Sequence, residues 1–176
     1  KFSIGSKFRR GGFTTLATIY ALWLCLFKMD QKIVFISYNE SSACDICDGI
    51  LKFAINHLPD WLKGNVLKMT NSNQKKFEDT NSNIFFTSSF SSLPQIISLC
   101  ILDEIDSFMK KEYWQLLYPL CSKVIVQSNI SFENGWFWDN LIDSKIGIGI
   151  FKEFRCSYKD HPIFNDSDVE KRMRKE

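Results

Sequence analysis

The sequence predicts an α/β domain, a three-layer sandwich in which a mostly parallel sheet carries helices on both faces. Three observations lead there. KIVFIS (32–37), ISLCIL (97–102) and KVIVQ (123–127) are short runs, apolar throughout rather than alternating, as strands buried on both faces are. Segments with helical spacing separate them, so strand and helix alternate along the chain. The 176 residues fit one domain on a prior of about 100–200, and a composition of 45% hydrophobic and 24% charged residues supplies a packed core. These values exclude a collagen, a coiled coil, a disordered tail and a miniature disulfide scaffold. The formal charge of +2 is too small to signal nucleic-acid binding by bulk charge. Six Cys lie scattered in apolar stretches, which favours reduced, buried thiols over a disulfide framework.

Taken in order, Lys1, Lys7, Arg9 and Arg10 precede an apolar run over 13–27. Basic residues before a short apolar run outline a secretory signal. However, Lys28, Met29 and Asp30 follow at once with no small-residue cleavage site, and the run is shorter than the ~20 residues that span a bilayer. The run therefore reads as a helix, apolar nearly all round and buried inside the domain. A membrane anchor over 13–27 is the rival reading. After the strand at 32–37, Asn39 can cap a helix whose apolar residues run from Ala43 to Leu58, and Pro59 stops it. Residues 71–83 are Asn/Ser-rich and read as a loop or exposed hairpin. A short strand over 84–86 precedes the serine-rich loop 88–92. A strand ends at Leu102, a helix covers about 108–121, and the strand at 123–127 follows. A helix over 134–142, a strand over 146–154 and a charged helix over 166–175 complete the pattern.

The chemistry starts at the end of the second core strand, where Asp103 and Glu104 follow ISLCIL. An apolar strand ending in Asp-Glu has the form of a Walker B motif. An Asp there can hold Mg²⁺, a hard cation that takes oxygen ligands. A Glu beside it can orient or deprotonate water for attack on a γ-phosphate. Strands also end in acidic residues simply because turns are wet. The partner would be a phosphate-cradling loop opening a helix, of the form G-x-x-x-x-G-K-[ST]. FRRGGFTT (8–15) matches it at Gly12 and Thr14, but Phe13 stands where the lysine belongs.

In order and spacing these segments resemble the N-terminal ATPase domain of tailed-bacteriophage large terminase subunits. FRRGGFTT is similar to that family's deviant Walker A, with Arg9, Gly12, Thr14 and Thr15 in place. IVFISYNESSACDI (33–46), LPDWLKGNVLK (58–68), LCILDEIDSF (99–108), VIVQSN (124–129) and YKDHPIFNDSDVEKRM (158–173) are similar to later segments of it, in order. The resemblance implies a P-loop NTPase fold of the ASCE type over 1–157 and the start of a linker toward a nuclease over 158–176. It implies a chain that begins after the adenine-reading segment and ends before the nuclease. It further implies ATP and Mg²⁺ as ligands, with Gly11, Gly12, Phe13, Thr14 and Thr15 around the phosphates and Arg9 beside them. Thr14 and Asp103 would serve the metal, Glu104 would be the catalytic carboxylate, and Ser128 would be the coupling hydroxyl. Its implied partners are double-stranded DNA, a portal or procapsid, a small terminase subunit and further copies in a ring. The resemblance also implies no membrane and, as the place of action, the cytoplasm of the infected host cell or of a host carrying a prophage relic.

The departures predict impaired hydrolysis. Phe13 removes the phosphate lysine, although Arg9, Arg10 or Lys7 could supply a cation from another position. Leu93-Pro94 replaces the family's Arg-Gly, and Gln127, Ser128 and Asn129 replace its small-polar-Pro turn. A non-enzymatic relic or assembly subunit of the same fold is the alternative. Other candidates read as structure: Cys44 and Cys47 as core thiols, His57 and His161 as residues beside Pro-containing turns, and Trp136, Phe137 and Trp138 as packing.

Overall fold

The computed structural model describes residues 1–63, 73–91, 93–106, 108–131 and 133–155. The charged helix expected over 166–175, the linker over 158–176, His161, Cys156 and part of the segment 58–68 lie outside these residues. Among the described residues seven strands form one sheet: β1 (Phe2–Ser6), β2 (Lys32–Ser37), β3 (Gln74–Phe77), β4 (Ser82–Thr87), β5 (Leu99–Asp103), β6 (Val124–Ser128) and β7 (Phe151–Arg155). Their spatial order is β3-β4-β2-β5-β6-β1-β7, with every pair parallel except β3 against β4. The helices are α1 (Phe13–Phe27), α2 (Glu40–Asp45) continuing through a π-helical stretch (Ile46–Leu51) into α3 (Lys52–Asn56), α4 (Asp60–Lys63), α5 (Lys111–Leu117) and α6 (Gly135–Lys145). Asn39 caps α2 as expected, its Oδ1 accepting from the Ser42 N–H at 2.7 Å.

The sheet separates two cores. On one face Ala17, Ala21 and Cys25 of α1 pack with Ile33, Phe35 and the π-helical stretch. On the other, Val34, Ile36 and Leu102 meet Trp114, Phe137 and Leu141. β2 and β5 therefore bury both faces, which is why their runs are apolar throughout. Phe137 is fully buried and Trp136 packs against Trp114 and Phe151, so this aromatic triplet is largely core material.

Several elements differ from expectation. The helix over 13–27 is not buried all round: Leu16, Ile19, Trp23 and Phe27 are exposed. The sheet and the π-helical stretch cover one side of α1 only, and Tyr20, Trp23 and Phe27 pack on one another along the open side. The helix at 108–121 shortens to α5 plus a 3₁₀ turn at Tyr118–Leu120. The strand expected from 146 begins only at Phe151, because Gly147 and Gly149 adopt φ of 76° and 89° and turn the chain. The polar segment 71–83 supplies β3 and the start of β4, a hairpin as one of the two readings expected, but not an exposed one, since Lys75, Phe77 and Ser82 are buried. No helix among the described residues is long and apolar enough to cross a membrane.

β1 is a strand that the sequence pattern does not reveal, and it sits between β6 and β7. Gly5 makes that placement possible. A Cβ there would lie 2.5 Å from both the Phe154 carbonyl oxygen and Phe154 Cε2. The carbonyl cannot swing away without breaking the ladder. Gly5→Ala should therefore destabilise the domain by about 1–3 kcal/mol through overpacking. Urea unfolding checks this, and an unchanged midpoint would refute it.

The described cysteines, 25, 44, 47, 100 and 121, are free thiols. Burial pushes the Cys25 thiol up to about 12. The thiolate is the reactive form, so at pH 8 Cys25 stays protonated and buried. N-ethylmaleimide should label Cys44 and Cys121, which are half-buried, well before Cys25, which should react only on unfolding. Mass spectrometry of the labelled chain reads the order.

Candidate functional site

The carboxyl ends of β1, β2, β5 and β6 lie side by side: Ser6 is level with Ser128, Ser37 with Asp103 and Asp103 with Gln127. Ligands of open parallel sheets bind at this edge. Residues 7–12 lead from β1 into α1. The Lys7 N–H continues the sheet ladder to the Ser128 carbonyl at 3.0 Å, and the chain then curls through Arg10 at φ 61° and Gly12 at φ 75°. Gly12 is the N-cap of α1, with no side-chain cap and no acidic residue in the first turn. The N–H groups of that turn therefore face an open crevice of about 290 Å³, lined by Lys7, Arg9, Gly11, Gly12, Thr14 and Glu104 among others. A bare helix N-terminus behind a left-handed turn suits an anion.

Four side chains meet beside it. Lys7 Nζ lies 2.5 Å from Asp103 Oδ1, 3.1 Å from Glu104 Oε1 and 3.1 Å from Thr14 Oγ1. Thr14 Oγ1 donates to Asp103 Oδ2 at 2.8 Å. The Lys7 and Asp103 side chains are 6% and 5% exposed, so the pair is buried, whereas Glu104 is 44% exposed and reaches the crevice. Gln127 Nε2 adds a third donor to Asp103, at 3.1 Å on Oδ1. A buried carboxylate needs such pairing. Glu104 stands at φ 56°, which turns its side chain out of the strand line.

The expected residues fall into place unevenly. Thr14, Asp103 and Glu104 come together. Thr15 and Gly12 are exposed at the crevice and Gly11 is half-buried there. Phe13 also lines the crevice, but its ring packs on Phe8 and Phe154. Arg9 is exposed and borders both this crevice and a neighbouring one of about 580 Å³ that includes Ser128. Ser128 is buried, and its Oγ accepts from the Asp106 N–H at 3.1 Å. The cation on the acidic pair is Lys7, six residues before Phe13. Its position in the sequence matches no standard loop pattern, and only the curl of residues 7–12 carries it to Asp103. His57 lies apart, with its Nδ1 2.8 Å from the Phe53 carbonyl and its ring against Phe53.

Thr14 Oγ1 and Asp103 Oδ2 are neighbouring hard oxygen donors on rigid elements, the donor chemistry Mg²⁺ takes. Among the described residues no group of three or more His, Cys, Asp and Glu forms a cage. Mg²⁺ at phosphate sites does not require one, since it keeps waters and substrate oxygens as ligands.

No protein-family model and no curated protein matches the sequence. Solved structures do match. The large terminase of a thermophilic bacteriophage superposes with a TM-score of 0.72 at 14% identity, over 97% of this chain and 43% of that one. The same terminase has been solved with ADP and with ATP-γ-S. The HK97 bacteriophage large terminase gives 0.70 at 15% identity, over 83% of this chain and 33% of that one. The large terminase ATPase domain of Thermus phage P74-26 gives 0.71 at 13% identity, over 98% of this chain and 82% of that one. The chain spans less than half the length of the thermophilic-phage and HK97 large terminases. At this level of likeness, what the chain shares with bacteriophage large-terminase ATPase domains is their fold, seen in its described residues as a mostly parallel seven-stranded sheet with helices on both faces.

Proposed function

We propose that this chain is the ATP-hydrolysing motor domain of a viral DNA-packaging terminase, with Lys7 as its phosphate-binding cation. The observation that carries the reading is the meeting of Lys7, Thr14, Asp103 and Glu104 beside the open N-terminus of α1. The shared fold supports it, as do the nucleotides bound by the thermophilic-phage terminase. The impaired hydrolysis expected above rests on Phe13 together with the departures at Leu93-Pro94 and Gln127–Asn129, and Lys7 offsets the first of these. Lys7 already lies within 3.1 Å of both carboxylates, so we infer that hydrolysis is retained.

The roles follow from position. The N–H groups of the first turn of α1 bind the β- and γ-phosphates. Lys7 moves from the carboxylates to the phosphate oxygens, a shift of a few ångströms for a flexible stem. Thr14 and Asp103 would hold Mg²⁺, which neutralises charge on the phosphates. Glu104 takes a proton from water as the water oxygen bonds to the γ-phosphorus. The bond from that phosphorus to the β,γ-bridging oxygen breaks, and ADP leaves with the electron pair. Double-stranded DNA is the proposed load. A portal or procapsid, a small terminase subunit and a ring of copies are the proposed partners.

Phosphate release from ATP in Mg²⁺ buffer tests the reading, paired with the melting shift on adding ATP-γ-S. Turnover together with a nucleotide-dependent rise in melting temperature is expected. Neither is expected of the relic alternative, and the absence of phosphate release would remove the proposal, with or without a melting shift.

A further inference from the structure

Three consecutive side chains at the end of β6 reach three different parts of the acidic strand end. Gln127 donates to Asp103, and Ser128 accepts from the Asp106 N–H. Asn129 Nδ2 donates to both carboxylate oxygens of Glu104, at 3.3 Å and 3.2 Å. The Asn129 Oδ1 is buried with no hydrogen-bond partner among the described residues. Turning the amide over would set that oxygen against the carboxylate, acceptor to acceptor. The amide is therefore oriented by Glu104, and its donor capacity serves Glu104.

Glu104 needs such a tie. It projects from a left-handed turn, which a glutamate rarely adopts, and is 44% exposed. Its backbone is held by the N–H bond to the Gln127 carbonyl at 3.0 Å, but among the described residues its side chain has two anchors only, Lys7 and Asn129. In the proposed function Lys7 is drawn to the phosphates when ATP binds. Asn129 is then the anchor that remains.

We propose that Asn129 is a positioning residue for Glu104. Its NH₂ sits between the two carboxylate oxygens and leaves their outer lone pairs free for the attacking water. It fixes the carboxylate at the mouth of the crevice after Lys7 has left. Because Asn129 follows β6 directly, any displacement of that strand end relative to β5 also moves Glu104. This inference rests on the proposed ATPase activity.

The test is the kcat and KM of phosphate release for the wild-type chain, Asn129→Ala, Glu104→Gln and the double variant. Losing a hydrogen bond to a charged group should lower kcat about ten- to a hundredfold in Asn129→Ala, with KM within about twofold. In the Glu104→Gln background Asn129→Ala should change nothing further, since its effect runs through that carboxylate. Asn129→Asp, nearly isosteric, sets a second carboxylate against Glu104 and should lower kcat at least as much as Asn129→Ala. It reads the same contact should Asn129→Ala fail to fold. Wild-type kcat in Asn129→Ala or Asn129→Asp would overturn the inference, and so would a loss that multiplies undiminished onto Glu104→Gln. A wild-type chain that releases no phosphate would sink the proposed function and this inference with it. That failure shows in the wild type alone.

Discussion

Replacing Lys7 by Ala should abolish most of the proposed ATP turnover, with a loss of about ten- to a hundredfold or more. The lower bound follows from one charge-assisted contact of about 1.5–3 kcal/mol at a rate of tenfold per 1.36 kcal/mol. The true loss should exceed it, because the lysine also neutralises the strand end. Without it Asp103 and Glu104 adjoin the crevice stripped of the counter-charge that lies within 3.1 Å of both, and an incoming triphosphate meets two carboxylates. Lys7→Met separates charge from bulk: it keeps the stem and should lose as much activity as Lys7→Ala. Stability should fall by less than the ~3–5 kcal/mol of a fully stranded buried charge, since Thr14 and Gln127 still donate to Asp103. Phosphate release measures the activity and urea unfolding the stability. Turnover at wild-type level in Lys7→Met would mean that another group, Arg9 or Arg10, supplies the cation.

The contrast between Lys7 and Phe13 shows what the sequence can and cannot yield. Asp103 and Glu104 are legible because a strand end is a local feature: an apolar run stops and two acids follow. Thr14 is legible from its spacing to Gly12. Lys7 is legible only as one cation among several. Its placement depends on a six-residue curl with left-handed steps at Arg10 and Gly12, which no local pattern reports. β1 is hidden for a related reason. FSIGS has two serines and a glycine in five residues, and basic residues flank it, so it lacks the apolar density of β2 or β5. The requirement it satisfies, a missing Cβ opposite Phe154, involves a residue about 150 positions away. The exposed side of α1 escapes the sequence because apolar residues occupy both sides of the helix, so periodicity cannot say which side the sheet covers. Asn129 carries no signal as a partner of Glu104, since that contact exists only when β5 and β6 are neighbours.

Glu104 yields the other large effect, and there activity and stability should move apart. Glu104→Gln removes the proton acceptor of the proposed reaction while keeping shape. General-base loss of about 10²–10⁴-fold in kcat is expected, with ATP-γ-S binding retained. Glu104→Gly should lose as much activity but gain on the backbone. At φ 56° a side chain costs about 1–2 kcal/mol that glycine does not incur. Against this stand glycine's extra unfolded-state entropy, about 0.5–1 kcal/mol, and the loss of contacts from a carboxylate that is nearly half exposed and partly screened. The balance lies between no change and a gain of about 1 kcal/mol, whereas a typical substitution costs about 1 kcal/mol. Removing the carboxylate also leaves Lys7 wholly to Asp103, which tightens the buried pair. A melting temperature equal to or above wild type, together with lost turnover, is therefore expected of Glu104→Gly. Strain kept in place only for the sake of a side chain's position is a mark of a working site. A Glu104→Gly chain that is clearly less stable than wild type would show instead that Glu104 is there to hold the fold. Its contacts with Lys7 and Asn129 would then be structural ties.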